Sequence, residues 1–234
     1  MALNKRTGNM YPFITHTWNP IQGRCIHGCR YCYMKTVRNR YKKPENKIQL
    51  KENYLKDNLN KGKYIFIGSS CDLFAADVPS NWVLKVLDYT KLFDAKYLFQ
   101  TKNPFKVLTV YGMTNFPVNS VLCITLESNR GAYDGMYNCC PAPAERVEWF
   151  KKWQGEKMIT IEPIMDFDLV PFVKMIESCK PSIVNIGADS GNNNLIEPPK
   201  EKITELITVL ENFTKVNLKK NIKRLFKEKK EKEL

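Results

Sequence analysis

The sequence predicts one α/β domain built on a parallel sheet, and three observations carry that expectation. Short apolar runs recur along the chain, each is followed by a segment with helical periodicity, and polar residues stand where five successive runs end. Continuously apolar strands alternating with helices mean a parallel sheet covered by those helices.

The elements follow in order. Phe13 to Trp18 is the first strand and Tyr64 to Gly68 (YIFIG) the second. From Asn81 to Phe93, Trp82, Val83, Val86 and Leu87 recur at helical intervals. Tyr97 to Gln100 is the third strand; Pro104 opens the helix after it, where its missing N–H costs nothing, and Gly112 ends that helix. Val121 to Leu126 is the fourth strand, followed by a loop of Gly, Asn, Cys and Pro and an amphipathic helix from Ala144 to Trp153. Met158 to Ile161 precedes the helical stretch FDLVPFVKMIESC, and Ile183 to Gly187 is the sixth strand. The last helix, Glu201 to Phe213, carries Ile203, Leu206, Ile207 and Leu210 on one face.

Six units are too few to close an eight-fold barrel, which leaves a partial (β/α)6 barrel or an open doubly wound sheet. In both, the chemistry gathers at the carboxyl ends of the strands. There the chain places Ser69 and Ser70, Thr101 and Lys102, Glu127 with Ser128 and Arg130, Glu162, then Asp189 and Ser190, a set expected to line one pocket. With no internal repeat or linker, residues 1–214 are expected to form the domain and residues 215–234 a basic C-terminal tail.

The charge is +13, with 37 Lys and Arg against 24 Asp and Glu, which suits a polyanionic partner. The expected tail holds nine Lys or Arg and three Glu, +6 of that charge. A second basic segment contains Lys35, Arg38, Arg40, Lys42 and Lys43, with Tyr41 as a stacking partner for a base. A solvated helix face accounts for such a run equally well. No apolar stretch approaches the roughly 18 residues of a membrane span. The first residues lack the apolar core of a signal peptide, so a cytosolic protein without membrane contact is expected.

Eight cysteines in such a setting point to metal rather than to a disulfide framework. Residues Gly23 to Tyr33 read GRCIHGCRYCY, and Cys25, Cys29 and Cys32 are spaced C-x3-C-x2-C. Three thiolates so spaced can converge on three irons of a cubane cluster, leaving one iron open. Zinc is the rival: it needs four ligands, and only His27, inside the loop, and His16 are on hand, with no second C-x2-C pair.

The loop, with Tyr31 as the aromatic before the third cysteine, resembles the signature of the radical S-adenosylmethionine (SAM) superfamily. The flanking THTWNP, IFIGSSCDLFAADVP, FQTKNP, ITLESN, ITIEPIMDFD and VNIGADSG are similar, in order, to a phage-associated three-cysteine group of that superfamily related to spore photoproduct lyase. The likeness runs from about Thr15 to Pro199. It implies a partial TIM-like barrel and a [4Fe–4S] cluster on Cys25, Cys29 and Cys32. SAM would be held on the open iron and cleaved by one electron from a donor such as flavodoxin or ferredoxin. The resulting 5′-deoxyadenosyl radical takes hydrogen from the substrate; the cofactor carries this chemistry and the protein positions it.

By motif position, Ser69 and Ser70 would meet the SAM amino group, although GSSCD stands where the family often has Gly-Gly-Glu. Glu127 would take the ribose, with Ser128 beside it, Lys102 or Arg130 would neutralise the carboxylate, and Tyr31 would lie near the adenine. A nucleic acid or modified nucleotide is the expected substrate class, a small molecule the runner-up. Only 24 residues precede Cys25 and Cys179 is the one late cysteine, so the extensions of peptide-modifying relatives are not expected. A non-enzymatic zinc- or cluster-containing nucleic-acid-binding protein is the alternative.

Overall fold

Eight strands form one sheet in the computed structural model, which describes residues 3–42, 47–61, 63–131 and 139–226. β1 (Leu3–Lys5) runs antiparallel to β2 (His16–Trp18). The cysteine loop and α1 (Tyr33–Arg40) follow, bracketed by a small pair, β3 (Ile21–Gln22) and β4 (Gln49–Leu50). β5 (Tyr64–Ile67), α2 (Ser80–Thr90), β6 (Lys96–Thr101) and α3 (Pro104–Lys106) come next. They lead to β7 (Ser120–Thr125), α4 (Pro143–Phe150), β8 (Glu156–Ile161) and α5 (Leu169–Cys179). β9 (Ile183–Ile186), α6 (Lys200–Leu210) and β10 (Lys215–Leu218) complete the series. As the sequence predicts, Pro104 opens α3, which continues as a π turn over Val107–Tyr111 until Gly112, at φ +61°, stops it.

The strand order is β1-β2-β5-β6-β7-β8-β9-β10, with every pair after the first parallel. Each new strand is therefore added at the same edge. Because such crossovers are right-handed, the helices all fall on one face. A doubly wound sheet needs a reversal of strand order, and there is none. The fold is the partial barrel.

Alternation along the strands separates two cores. Tyr97, Phe99, Leu122, Ile124, Ile159 and Ile161 face the helices. Leu98, Val121, Cys123 and Met158 face the other way, and pack with Phe66 and with Tyr11 and Ile14 from the segment before β2. That segment plugs the inner side, where the Tyr11 hydroxyl donates to Gln100 Oε1 at 2.8 Å. Both faces are covered, which is why the strands read as apolar runs.

The expected division at residue 215 needs correction. Lys215–Leu218 is not the start of a solvated tail but a strand paired in register with Ile183–Ile186. A 3-10 turn over Lys220–Phe226 then buries Ile222, only 1% exposed. Lys43 and residues 227–234 lie outside the described residues. If 220–226 is core, Ile222→Val should cost about 0.5–1.5 kcal/mol in denaturant unfolding. A cost near zero would return the segment to the surface. Among the described residues, no helix is long and apolar enough to cross a membrane.

Candidate active site

The cysteine loop leaves β3 at Gly23, whose φ of +122° and closeness to β4 both require glycine: a Cβ there would meet the Lys47 carbonyl oxygen at 2.5 Å. Turns closed by Gly28 N–H on Cys25 O and Cys32 N–H on Cys29 O fold the loop back toward the sheet. Cys29 is buried, Cys25 and Cys32 are half-buried, and all three are free thiols. Cys32 caps α1 without a side-chain hydrogen bond. A hydrogen bond with the Cys71 thiol outweighs burial at Cys25 and draws its thiol down to about 6.

A buried dyad missed in the sequence ties this loop to the neighbouring strand ends. His27, 2% exposed, sets Nε2 at 2.9 Å from Asp72 Oδ2 and Nδ1 at 2.7 Å from the Cys139 carbonyl. Asp72 also accepts the Thr101 hydroxyl and the Lys102 and Phe74 N–H groups at 2.9–3.0 Å. Burial alone would raise the Asp72 carboxyl and lower the His27 imidazole. Their mutual contact reverses both shifts, raising the imidazole and lowering the carboxyl. One carboxylate thereby joins the cysteine loop, the turn after β5 and the end of β6.

The second cluster centres on Glu127, 2% exposed just beyond β7. Its Oε2 accepts from Arg146 Nη1 at 2.8 Å, and its Oε1 from the Tyr31 hydroxyl. Arg146, from α4, is fully buried. It also donates to the Thr125 carbonyl at 2.8 Å, the Pro141 carbonyl at 2.7 Å and the Cys140 sulfur at 3.1 Å. Lys102 stands with its ammonium 5.3 Å from the centre of the Tyr31 ring. Burial would depress that ammonium, but attraction to Cys29 and Glu127 prevails and keeps it charged. Burial pushes the Cys140 thiol up to about 12.

Tyr31, Lys102 and Glu127, three of the residues singled out in the sequence, thus meet beside Cys29. The others are engaged differently. Ser69 Oγ and Ser70 N–H both donate to Asn19 Oδ1, at 3.1 and 3.0 Å. Ser128 Oγ donates to the Asp166 carbonyl at 2.6 Å and accepts the Arg130 N–H at 3.1 Å. Arg130 is 40% exposed and paired with Asp166 and with Asp168 at 2.7 Å, so of the two cations expected to share a role, Lys102 is the one beside the cysteines. Glu162 forms a separate group: it accepts from Asn9 at 2.9 Å and Lys219 at 2.5 Å, and burial raises its carboxyl despite both.

A cubane takes its thiolates on separate irons. Three free thiols on one loop, backed by the Lys102 ammonium against the charge of thiolates, fit that group in donor chemistry and in local charge.

Fold and site together define a partial-barrel protein with a three-cysteine loop at its carboxyl mouth and a buried tyrosine–glutamate–arginine–lysine cluster beside it. The chain belongs to the family described as Protein of unknown function (DUF5131), whose model matches residues 10–193. No curated protein matches the sequence. Among solved structures, it shares its fold with a cysteine-to-serine variant of spore photoproduct lyase, at TM-score 0.62 and 12% identity over 92% of this chain and 81% of that one. A tyrosine-to-phenylalanine variant gives TM-score 0.61 and 11% identity, over 90% and 78% of the two chains. A doubly substituted variant of that lyase, with bound AdoMet and dinucleoside spore photoproduct, gives TM-score 0.55 and 11% identity, covering 89% and 64%.

Proposed function

We propose that this chain is a radical SAM enzyme acting on a nucleic acid or modified nucleotide, with Cys25, Cys29 and Cys32 holding a [4Fe–4S] cluster. The observation that carries the reading is the placement of those three free thiols at the mouth of a partial barrel, beside Lys102 and Glu127. The lyase whose fold it shares has been solved with AdoMet and a dinucleoside photoproduct, and this favours SAM and a nucleotide here. When bound, the cluster and SAM supply one-electron cleavage to a 5′-deoxyadenosyl radical, with the electron from a flavodoxin- or ferredoxin-type donor.

The chain's own residues hold and shield. Lys102 offsets negative charge beside Cys29. Glu127, its carboxylate fixed by Arg146 and Tyr31, would hold the ribose, and Tyr31 would lie near the adenine. Ser69 and Ser70, steadied by Asn19, would hold the SAM amino group, with Ser128 in the same SAM-binding set beside Glu127. Arg130, tied to Asp166 and Asp168, organises the loop after β7. His27 and Asp72 pin the loop so that the cysteines keep their spacing.

The test is anaerobic reconstitution with iron and sulfide, followed by dithionite reduction in the presence of SAM. The expected result is a brown protein that forms 5′-deoxyadenosine and methionine. Stoichiometric zinc with no iron uptake, or a loaded cluster that leaves SAM intact, would overturn the reading.

A further inference from the structure

A cleft of about 960 Å³, lined mainly by Asn, Lys, Asp and Glu side chains, opens at the carboxyl ends of β9 and β10, away from the cysteine loop. Its walls are the loop around Asp189 to Asn194 and the segment Lys220 to Arg224, and Asn9, which also bonds Glu162, lines it as well. Its carboxylates are engaged inward. Asp189 accepts the Gly191 N–H at 3.0 Å and the Asn193 N–H and carboxamide at 2.5 and 2.6 Å. Glu197 accepts the Asp189 N–H at 2.7 Å and the Arg224 guanidinium at 2.6 Å. Lys220 and Lys223 line the same cleft, are exposed, and pair with no carboxylate among the described residues. Glu197 is thus neutralised by Arg224, while Asp189 keeps its charge but turns its oxygens into hydrogen bonds within its own loop, so Lys220 and Lys223 leave the lining net positive.

A second observation is independent of charge. The Asn221 carboxamide donates to the Ala188 carbonyl at 2.6 Å and to Ser190 Oγ at 2.7 Å. Its own Oδ1 is buried with no partner among the described residues. Buried polar groups in folded proteins are nearly always satisfied, so this acceptor, closed off beneath the cleft, would gain a partner if the carboxamide turned toward a ligand. Asn192 and Asn194 add carboxamides on the opposite wall. Carboxamides pair a donor with an acceptor, as base edges do, whereas ammonium groups attract phosphate. The volume is at the upper end for a small-molecule cleft, of the order of 300–1,000 Å³.

We infer that this cleft binds a phosphodiester unit of a single-stranded nucleic acid, with Lys220 and Lys223 on phosphate and the asparagine carboxamides on base or sugar. The inference deepens, and rests on, the reading of the chain as a radical SAM enzyme of nucleic acid or nucleotide. It places the strand's anchoring on the β9–β10 side of the mouth, opposite the edge that carries the cysteines.

The test uses the full, cluster-reconstituted chain and a fluorescein-labelled single-stranded oligodeoxynucleotide, read by anisotropy over a range of KCl without SAM. Lys220→Gln with Lys223→Gln should flatten the log–log salt dependence by roughly 0.7 for each lysine that meets a phosphate. Lys85→Gln with Lys174→Gln, an equal loss of charge on the outer helices, should leave the slope unchanged. A slope unchanged in the first pair, or flattened equally in both, overturns the site. So does displacement of the strand by polyglutamate at equal charge concentration, which would make the cleft a surface for acidic chains. Should the double lysine variant fail to fold, Asn194→Asp introduces the opposing charge at a positive φ that Asp tolerates, and should weaken binding at low salt; undiminished binding overturns the site. Protein that cleaves SAM but does not bind the strand overturns the cleft and spares the radical reading. Protein that binds the strand with the expected lysine dependence but never cleaves SAM supports the cleft and overturns that reading.

Discussion

Arg146→Met is expected to lower the free energy of unfolding by about 3–5 kcal/mol, the usual consequence of removing one partner of a buried ion pair. The guanidinium is wholly buried and Glu127 nearly so, so water cannot take over the abandoned charge. The loss goes beyond the pair. Arg146 also holds the carbonyls of Thr125 and Pro141, which fastens α4 and the loop before it to the end of β7. Lys102 supplies part of the compensation for Glu127, which argues for the lower half of that range. Denaturant unfolding of the variant checks the magnitude, and a double variant checks the cause. If the cost comes from a stranded carboxylate, Glu127→Gln with Arg146→Met should be more stable than Arg146→Met alone. A double variant less stable than either single one would assign the loss to packing instead.

That arginine also marks where the sequence was harder to read. The run Pro143, Arg146, Val147, Phe150 follows the i, i+3, i+4, i+7 stripe of an amphipathic helix, and all four are buried. An arginine on the apolar stripe of a helix is the signal of a buried charge with a partner, and it was available. The central strands β5 to β9 were legible because the N-terminal plug and the helices cover both their faces, producing uninterrupted apolar runs. β1 and β10 were not, since LNK and KVNL are edge strands with half-exposed side chains and no such run. The cysteine loop was legible from spacing alone, whereas the His27–Asp72 dyad joins residues 45 apart in sequence and depends on the fold. Glu162 was picked out by its place at a strand end, yet its cation, Lys219, lay in what read as a tail.

Replacing Cys25, Cys29 and Cys32 together by Ala is expected to abolish the visible absorption of the anaerobically reconstituted protein and all 5′-deoxyadenosine formation. The fold should survive. The three thiols lie on a loop outside the sheet; Cys25 packs at the margin of the main core, and Cys32 caps α1 through its backbone alone. Cys29 is the one buried member, and its loss to Ala removes a small side chain from a site otherwise held by His27, Asp72 and the turn hydrogen bonds. Melting followed by circular dichroism should therefore change far less than in Arg146→Met, which separates loss of cluster from loss of structure. The matching control is Cys139→Ala with Cys140→Ala, which removes the two thiols of the loop that Arg146 and His27 contact. Iron content should stay at one cluster's worth in that variant, because consecutive cysteines offer no spacing for a second cubane. Iron retained in the triple variant would move the cluster away from the C-x3-C-x2-C loop. A halving of iron in the Cys139 and Cys140 variant would instead reveal a second cluster beside the first.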